Sequence, residues 1–147
     1  MRSPAIERIE HNGELLALIV SHTFREPGVH FFTSGDFSQQ LGFMRHPTGW
    51  RIAPHLHKSV AREVHWTQEV LLVLRGRLRV DFYATDRTYL ESRVVTGGDV
   101  LLLAKGGHGF DVLDEVEMIE VKQGPYAGDG DKTRFDGLDA AAARRGV

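Results

Sequence analysis

The chain has 147 residues, with 18 Lys and Arg against 20 Asp and Glu, and no cysteine. A single domain of this length can bury a substantial core. The balanced charge argues against a nucleic-acid binder held by phosphate neutralisation. The absence of cysteine excludes disulfides, cysteine-based zinc or iron–sulfur sites and thiol nucleophiles. Any metal would therefore be held by carboxylates and by some of the eight histidines.

The longest apolar runs, residues 14–20 and 70–74, are the size of strands. They are far shorter than the roughly 20 residues of a membrane span, so no membrane association is expected. The first residues contain no apolar segment of the signal-peptide kind. A cytoplasmic location is therefore the expectation.

Short apolar or alternating runs, separated by glycine-containing turns, predict about ten β-strands. In chain order they are residues 15–20, 29–33, 40–45, 50–57, 69–74, 77–84, 92–95, 99–103, 108–113 and 116–122. Leu78 and Val80 occupy the inner face of one of them, so Arg75, Arg77 and Arg79 are expected on a solvated outer face, although a phosphate-binding row is conceivable. Many short strands at close spacing are typical of an antiparallel sandwich or barrel.

Only two stretches look helical. Asp139 can cap a late helix over residues 140–145, and residues 34–40 are expected to form a single turn. Residues 124–134, rich in glycine and charge, are expected to form a loop. The prediction is one domain, residues 1–147, with a barrel core at about 14–123 and a C-terminal loop and tail at 124–147.

Three histidines and one glutamate stand out because their spacing can place them on one interior face. His55 and His57 are two residues apart in a predicted strand, so both imidazoles can converge on one ion. Glu69 opens the next strand, and a buried carboxylate needs a partner or a metal. His108 begins a later strand and shares its face with Phe110.

These residues resemble the motifs of the cupin superfamily. His55 and His57 resemble its first histidine pair, Glu69 with Gly76 the second half of the first motif, and the stretch ending at His108 the second motif. The resemblance implies an all-β fold, a cupin-type double-stranded β-helix (jelly-roll) barrel with a short C-terminal helix or tail. It also implies that His55, His57, Glu69 and His108 bind a divalent metal ion, for which an N/O donor set suits Fe, Mn, Ni or Zn.

The sequence departs from the family pattern at four places. The gap from His57 to Glu69 is much longer than usual, Ala104 replaces a proline, His108 comes one residue early, and no asparagine follows it at the expected place. Residues 58–68 must therefore loop out, and His65 within them could serve as an extra ligand.

A narrower resemblance lies in TQEVL (67–71), RVDFY (79–83), GGHGF (106–110) and EVKQGPY (120–126). These segments are similar to small stand-alone cupins associated with bacterial surface-sugar and nucleotide-sugar metabolism. Phe110, Lys122, Gln123 and Tyr126 could line the mouth of a pocket. The alternative for the last three is that they tie the C-terminal loop to the barrel.

The sequence therefore predicts a small metal-binding cupin, an enzyme of the oxygenase or isomerase kind acting on a small polar metabolite such as a sugar derivative. The metal would act as Lewis acid or oxygen activator. Two alternatives stay open: a non-catalytic small-molecule or sugar-binding cupin with a regulatory or scaffolding role, and a structural cupin that has lost its metal. The expected partners are a small-molecule ligand and a second copy in a homodimer, with no nucleic acid and no membrane.

Overall fold

β-Strands form nearly all of the regular structure in the computed structural model of the chain, which describes residues 4–138 and 142–143. In chain order they are β1 (Ile6–His11), β2 (Glu14–Val20), β3 (Gly28–Phe31), β4 (Gly42–Arg45), β5 (Glu69–Tyr83), β6 (Tyr89–Thr96), β7 (Val100–Leu103) and β8 (Gly107–Lys122). A 3₁₀ turn at Gly128–Asp131 follows β8. No helix in the described part is long and apolar enough to cross a membrane.

Six strands form one antiparallel sheet in the order β1-β2-β7-β5-β6, with β8 also paired to β5. The long strand β5 organises this sheet. Its first residues pair with β7 and its later residues with β6, while β8 runs along almost its whole length. β3 and β4 form a separate two-stranded sheet.

The curl of the sheet originates at a bulge in the middle of β5. The register between β5 and β8 shifts at three steps between Val73 and Leu78. Gly76 lies inside this region with φ 91°, and a Cβ there would lie 2.1 Å from the carbonyl oxygen of Glu115. A bulge bends a strand and increases its twist, so β5 continues through Gly76 and curls. The predicted breaks at residues 75–76 and 114–115 are therefore wrong, because these residues form the bulge.

The curled inner face carries the larger core. Leu71 and Val73 before the bulge, and Leu78, Val80 and Phe82 after it, are all buried in one cluster. With strict alternation along all fifteen residues, the apolar side chains before and after the bulge would point to opposite faces of the sheet. The bulge changes the alternation, so that both sets point toward the core. The prediction of an all-β fold is thus confirmed as a curled antiparallel half-barrel.

A second, smaller cluster covers the other face of β2 and β7. Leu18, Val20, Leu102 and Ala104 are buried there beneath phenylalanines from the segments around β3. Since β2 is covered on both faces, its residues need not alternate. This explains why its sequence is an almost continuous apolar run.

Several predicted elements differ in the structure. Residues 46–68 contain no helix or strand, so the strand predicted over 50–57 is absent, since it finds no strand to pair with. Residues 34–40 form bends and a turn without helix, and β1 adds a strand that the sequence analysis did not predict. The loop expected at 124–134 is confirmed as strand-free. The late helix falls outside the described residues, apart from 142–143.

The expectation of a solvated outer arginine face is wrong for Arg79. Its side chain is only 3% exposed, and its Nε and Nη2 donate to the two oxygens of Asp81 at 2.9 and 3.0 Å. Nη2 also contacts Asp111, and Ser92 donates to Asp81 at 2.5 Å. Hydrogen bonding with Asp81 raises the pKa of Arg79. Arg77 does remain exposed.

Candidate functional site

Glu69 and His108 come together although they lie near opposite ends of the β5–β8 ladder. His108 is paired across the ladder with Phe82, at the end of β5, whereas Glu69 begins β5. Glu69 is also paired with Leu103 of β7, and the bend over residues 104–106 leads from Leu103 to the start of β8, where His108 is the second residue. The curl closes the distance, so that His108 Nε2 lies 3.3 Å from Glu69 Oε2.

The turn that delivers His108 depends on a glycine. Gly106 has φ 75°, a left-handed conformation that side chains rarely adopt. A Cβ at this position would also lie 2.6 Å from the carbonyl oxygen of Tyr83. Gly106 therefore allows the chain to turn close to the end of β5.

The Glu69 carboxylate is held in its ionised form. Its side chain is 14% exposed, and that of His108 is 30% exposed. The adjacent His108 imidazole lowers the pKa of Glu69 below its ordinary value of 4.5 and outweighs burial, which acts in the opposite direction. The positive charges of Lys122 and Lys132 lower this pKa further. Lys122 lies opposite Glu69 in the ladder.

An open cleft of about 990 Å³ lies beside this pair. Phe110 lines it, and its ring lies 5.4 Å from that of His108. The C-terminal segment forms one wall, where Phe135 packs edge-on against Tyr83 with ring centroids 5.1 Å apart. Sequence reasoning missed Tyr83 and Phe135 as cleft residues, because only the tertiary path of the C-terminal segment brings them together.

His55 and His57 are close to each other, with ring centroids 5.3 Å apart. His55 Nδ1 also lies 3.0 Å from the carbonyl oxygen of Ala53. Both histidines belong to residues 51–64, every one of which is exposed. We call residues 51–64 the arm.

His65, the possible extra ligand, lies at the base of the arm and on the rim of the cleft. Its Nε2 is 3.4 Å from Glu63 Oε1. The neighbouring Trp66 lies beneath Lys105, whose Nζ is 5.1 Å from the ring centroid. Lys105 in turn forms an ion pair with Glu14 at 2.8 Å. These contacts fix the C-terminal end of the arm to the sheet.

Gln123 connects the end of β8 to the loop before β4. Its Oε1 accepts a hydrogen bond from Gln39 at 3.0 Å, and its backbone nitrogen donates to Gln68. Through these contacts Gln123 links the end of β8 to the loop before β4 and to the residue before β5. Tyr126 is 85% exposed and is not among the residues lining the cleft.

The donors have the right chemistry for a metal but form two separate pairs in one chain. Within residues 4–138 and 142–143, no three His, Asp or Glu side chains are grouped closely enough to hold an ion. Glu69 with His108 supplies one oxygen and one nitrogen, fewer than the three protein ligands of typical catalytic sites. Four ligands would require the His55–His57 pair to join the Glu69–His108 pair.

The fold and site define a curled antiparallel β-protein with a carboxylate–imidazole pair beside an open cleft. Comparisons of the chain with protein-family models, with curated proteins and with solved structures find no match.

Proposed function

We propose that this protein is a small metal-binding cupin, with a jelly-roll barrel, and an enzyme acting on a small polar metabolite such as a sugar derivative. The observation that carries the proposal is the approach of Glu69 and His108 beside the cleft. These two residues are far apart in sequence and were singled out, with His55 and His57, by their motif positions. The curl of the sheet brings these two residues together, which supports the interpretation that they belong to one functional site.

His55, His57, Glu69 and His108 would hold a divalent ion, with Fe, Mn, Ni and Zn all suited to these donors. When bound, the ion would supply Lewis acidity or activate oxygen, as in an isomerase or an oxygenase. The ionised Glu69 already provides the negative charge that such an ion requires. Phe110 places an aromatic ring beside the pair, 5.4 Å from the ring of His108.

The cleft has both polar and aromatic walls, which favours a hydroxylated ligand. Lys132 and Arg87 line it together with Tyr83 and Phe135. The ring of Phe135 also lies 5.7 Å from the Arg87 guanidinium, which limits the mobility of that charge. The proposal also includes a small-molecule ligand and a cytoplasmic location. It includes no nucleic-acid or membrane partner.

Metal content tests the proposal directly. The wild type, reconstituted separately with each of the four metals, is expected to bind about one equivalent of one of them. Glu69→Gln/His108→Ala and His55→Ala/His57→Ala are each expected to lose it, whereas His30→Ala, in β3, keeps it. A wild type that binds none of the four metals in stoichiometric amount contradicts the proposal.

A second candidate is a metal-free, non-catalytic binding protein with a regulatory or scaffolding role. It is favoured by the direct contact between Glu69 and His108 and by the charges of Lys122 and Lys132, which satisfy the carboxylate without any ion. A panel of oxidisable and isomerisable sugars separates the candidates. Metal-dependent product formation supports the enzyme, and thermal stabilisation without product supports the binding protein.

A further inference from the structure

The arm exposes apolar side chains that its own chain does not cover. Leu56 is 83% exposed, and Ile52 and Val60 are also largely exposed. Trp50, just before the arm, is exposed as well. A group of exposed apolar residues on one segment marks an interaction surface, unlike single ones scattered over a protein.

The arm has the residue pattern of a strand but no strand to pair with. Ile52, Pro54 and Leu56 alternate with Arg51, His55 and His57, the period of two that gives a strand one apolar and one polar face. Pro54 has no N–H to donate, which confines such a strand to the edge of a sheet. In the described chain these residues form neither helix nor strand. Such a segment becomes regular only when another strand supplies its backbone hydrogen bonds.

β8 offers the complementary surface. It has 16 residues and pairs only with β5 within the described chain, so its other edge is open there. Val112, Ile119 and Val121 of this strand are all more than half exposed. A long, apolar edge strand is a template for another chain, and proteins normally cover it.

The charges of the two surfaces are also complementary. The arm carries three basic side chains and one acidic one, and β8 carries five acidic side chains and one basic one. The basic residues of the arm are Arg51, Lys58 and Arg62, and the acidic residues of β8 are Asp111, Asp114, Glu115, Glu117 and Glu120. Asp111, Asp114, Glu115 and Glu117 already pair with arginines of β5, so Glu120 is the β8 carboxylate without an ion pair in the described part of the chain. Opposite charges on paired surfaces favour correct association.

We propose that the arm of one copy adds as a strand to the open edge of β8 in a second copy, and the reverse, forming a symmetric arm-exchanged dimer. We choose a second copy as the partner because every residue of the arm is exposed, so the arm is not covered by its own chain. Both ends nevertheless remain attached, by the stacking of His46 on Trp50 at 5.3 Å and by the contact of Trp66 with Lys105.

The exchange has a consequence for the site, which rests on the metal function proposed above. His108 lies near the start of β8, so a strand along that edge passes beside the Glu69–His108 pair. The four-ligand site is then shared, with His55 and His57 of the partner subunit completing it. The dimer itself does not depend on a metal.

Sedimentation of the full chain, without added metal, tests the interface. The wild type is expected to be a dimer, and Leu56→Asp in the arm or Ile119→Asp in β8 is expected to weaken it at least about tenfold, because each buries a charge. Val29→Asp is the matched control, since Val29 and Ile119 are both 51% exposed, but Val29 lies in β3. A monomeric wild type, or equal weakening by all three variants, overturns the proposal.

Mixing two inactive variants tests the sharing of ligands. His55→Ala/His57→Ala and Glu69→Gln/His108→Ala each lose the metal alone, but a mixed dimer contains one complete site. After subunit exchange an equal mixture is expected to regain about a quarter of the wild-type metal content. No recovery, with wild type that binds metal, overturns the shared site.

The two tests keep the failures apart. A wild type that dimerises through the arm and binds no metal contradicts the proposed function and leaves the interface standing. A monomeric wild type that binds metal overturns the arm exchange and leaves the proposed function standing.

Discussion

The Glu69 carboxylate lies inside the curled sheet in its ionised form because His108 is beside it and two lysines are near. Burial alone would raise the pKa of a carboxyl group, and here the lowered pKa shows that the neighbouring groups dominate. The folded state therefore stabilises the charged form relative to the unfolded chain. This stabilisation is present at pH above the ordinary pKa of 4.5 and is lost as the pH falls through the lowered pKa.

Glu69→Gln should consequently make the free energy of unfolding less dependent on pH under acidic conditions. In chelator-treated protein, the free energy of unfolding by urea should fall less steeply in the variant than in the wild type between about pH 5 and about pH 3. Glu26→Gln, at an exposed position before β3, serves as the control and should follow the wild type. Parallel curves for wild type and Glu69→Gln would contradict the assignment.

The buried Arg79 depends on its carboxylate partners in the same manner. Two hydrogen bonds from Arg79 reach Asp81, which Ser92 also contacts. A buried charge left without its partner is strongly destabilising, whereas an exposed ion pair contributes little.

Asp81→Ala should therefore lower the free energy of unfolding by about 3 kcal/mol. The matched control is Asp114→Ala, which removes the partner of Arg77 in a pair whose two side chains are each more than half exposed. Its cost should be about 1 kcal/mol or less. Urea unfolding of both variants checks the difference, and equal losses would show that Arg79 does not need Asp81.

At the scale of the element, β5 owes its length and curvature to Gly76. The residue combines a positive φ with a close approach to β8, so two separate restrictions apply to any side chain there. Because the bulge sets the direction of Leu78, Val80 and Phe82, disturbing it also disturbs the core. The bulge is thus the link between local backbone geometry and the site.

Gly76→Ala should destabilise the protein more than Gly13→Ala does. Gly13 has a similar φ of 77°, but a Cβ at that position would have no atom within 4 Å, so alanine there meets only backbone strain. We expect a loss of about 1 kcal/mol at Gly13 and a clearly larger loss at Gly76. Thermal unfolding of both variants measures these two losses. A smaller loss for Gly76→Ala than for Gly13→Ala would mean that β8 shifts away from residue 76 at little cost in stability.

At the scale of the whole molecule, the arm and the open edge of β8 are surfaces that the described residues of one chain leave uncovered. Limited trypsin digestion should report on the arm. Lys58 and Arg62 in the arm and Arg134 in the C-terminal loop are all exposed cleavage sites.

With arm exchange, cleavage after Lys58 and Arg62 should slow as the protein concentration rises, because the dimer protects an added strand. Cleavage after Arg134 should not change with concentration, which makes it an internal control. Mass spectrometry of the fragments gives both rates from one digest. Rates that change equally at all three sites would show that the arm is not specifically protected.

Local signals predicted much of the fold. The strand character of β2, β5, β7 and β8, and the loop after β8, follow from short-range apolar patterning and turn residues. Arg79 is buried through its contacts with Asp81 and Asp111, and the strand predicted over residues 50–57 has no partner strand. The junctions at residues 75–76 and 114–115 failed because they form one bulge. A bulge changes which face each later side chain occupies, and single-strand alternation contains no information about it.

For the site, the residue types restrict the available donors, since the chain lacks cysteine and offers His55, His57, Glu69 and His108 as nitrogen and oxygen donors. That Glu69 and His108 are neighbours while His55 and His57 lie on an exposed arm follows from the folded chain. The physical reason is that approach across a curled sheet depends on strand pairing and twist. Those are properties of several strands together, whereas residue types and spacings belong to one segment.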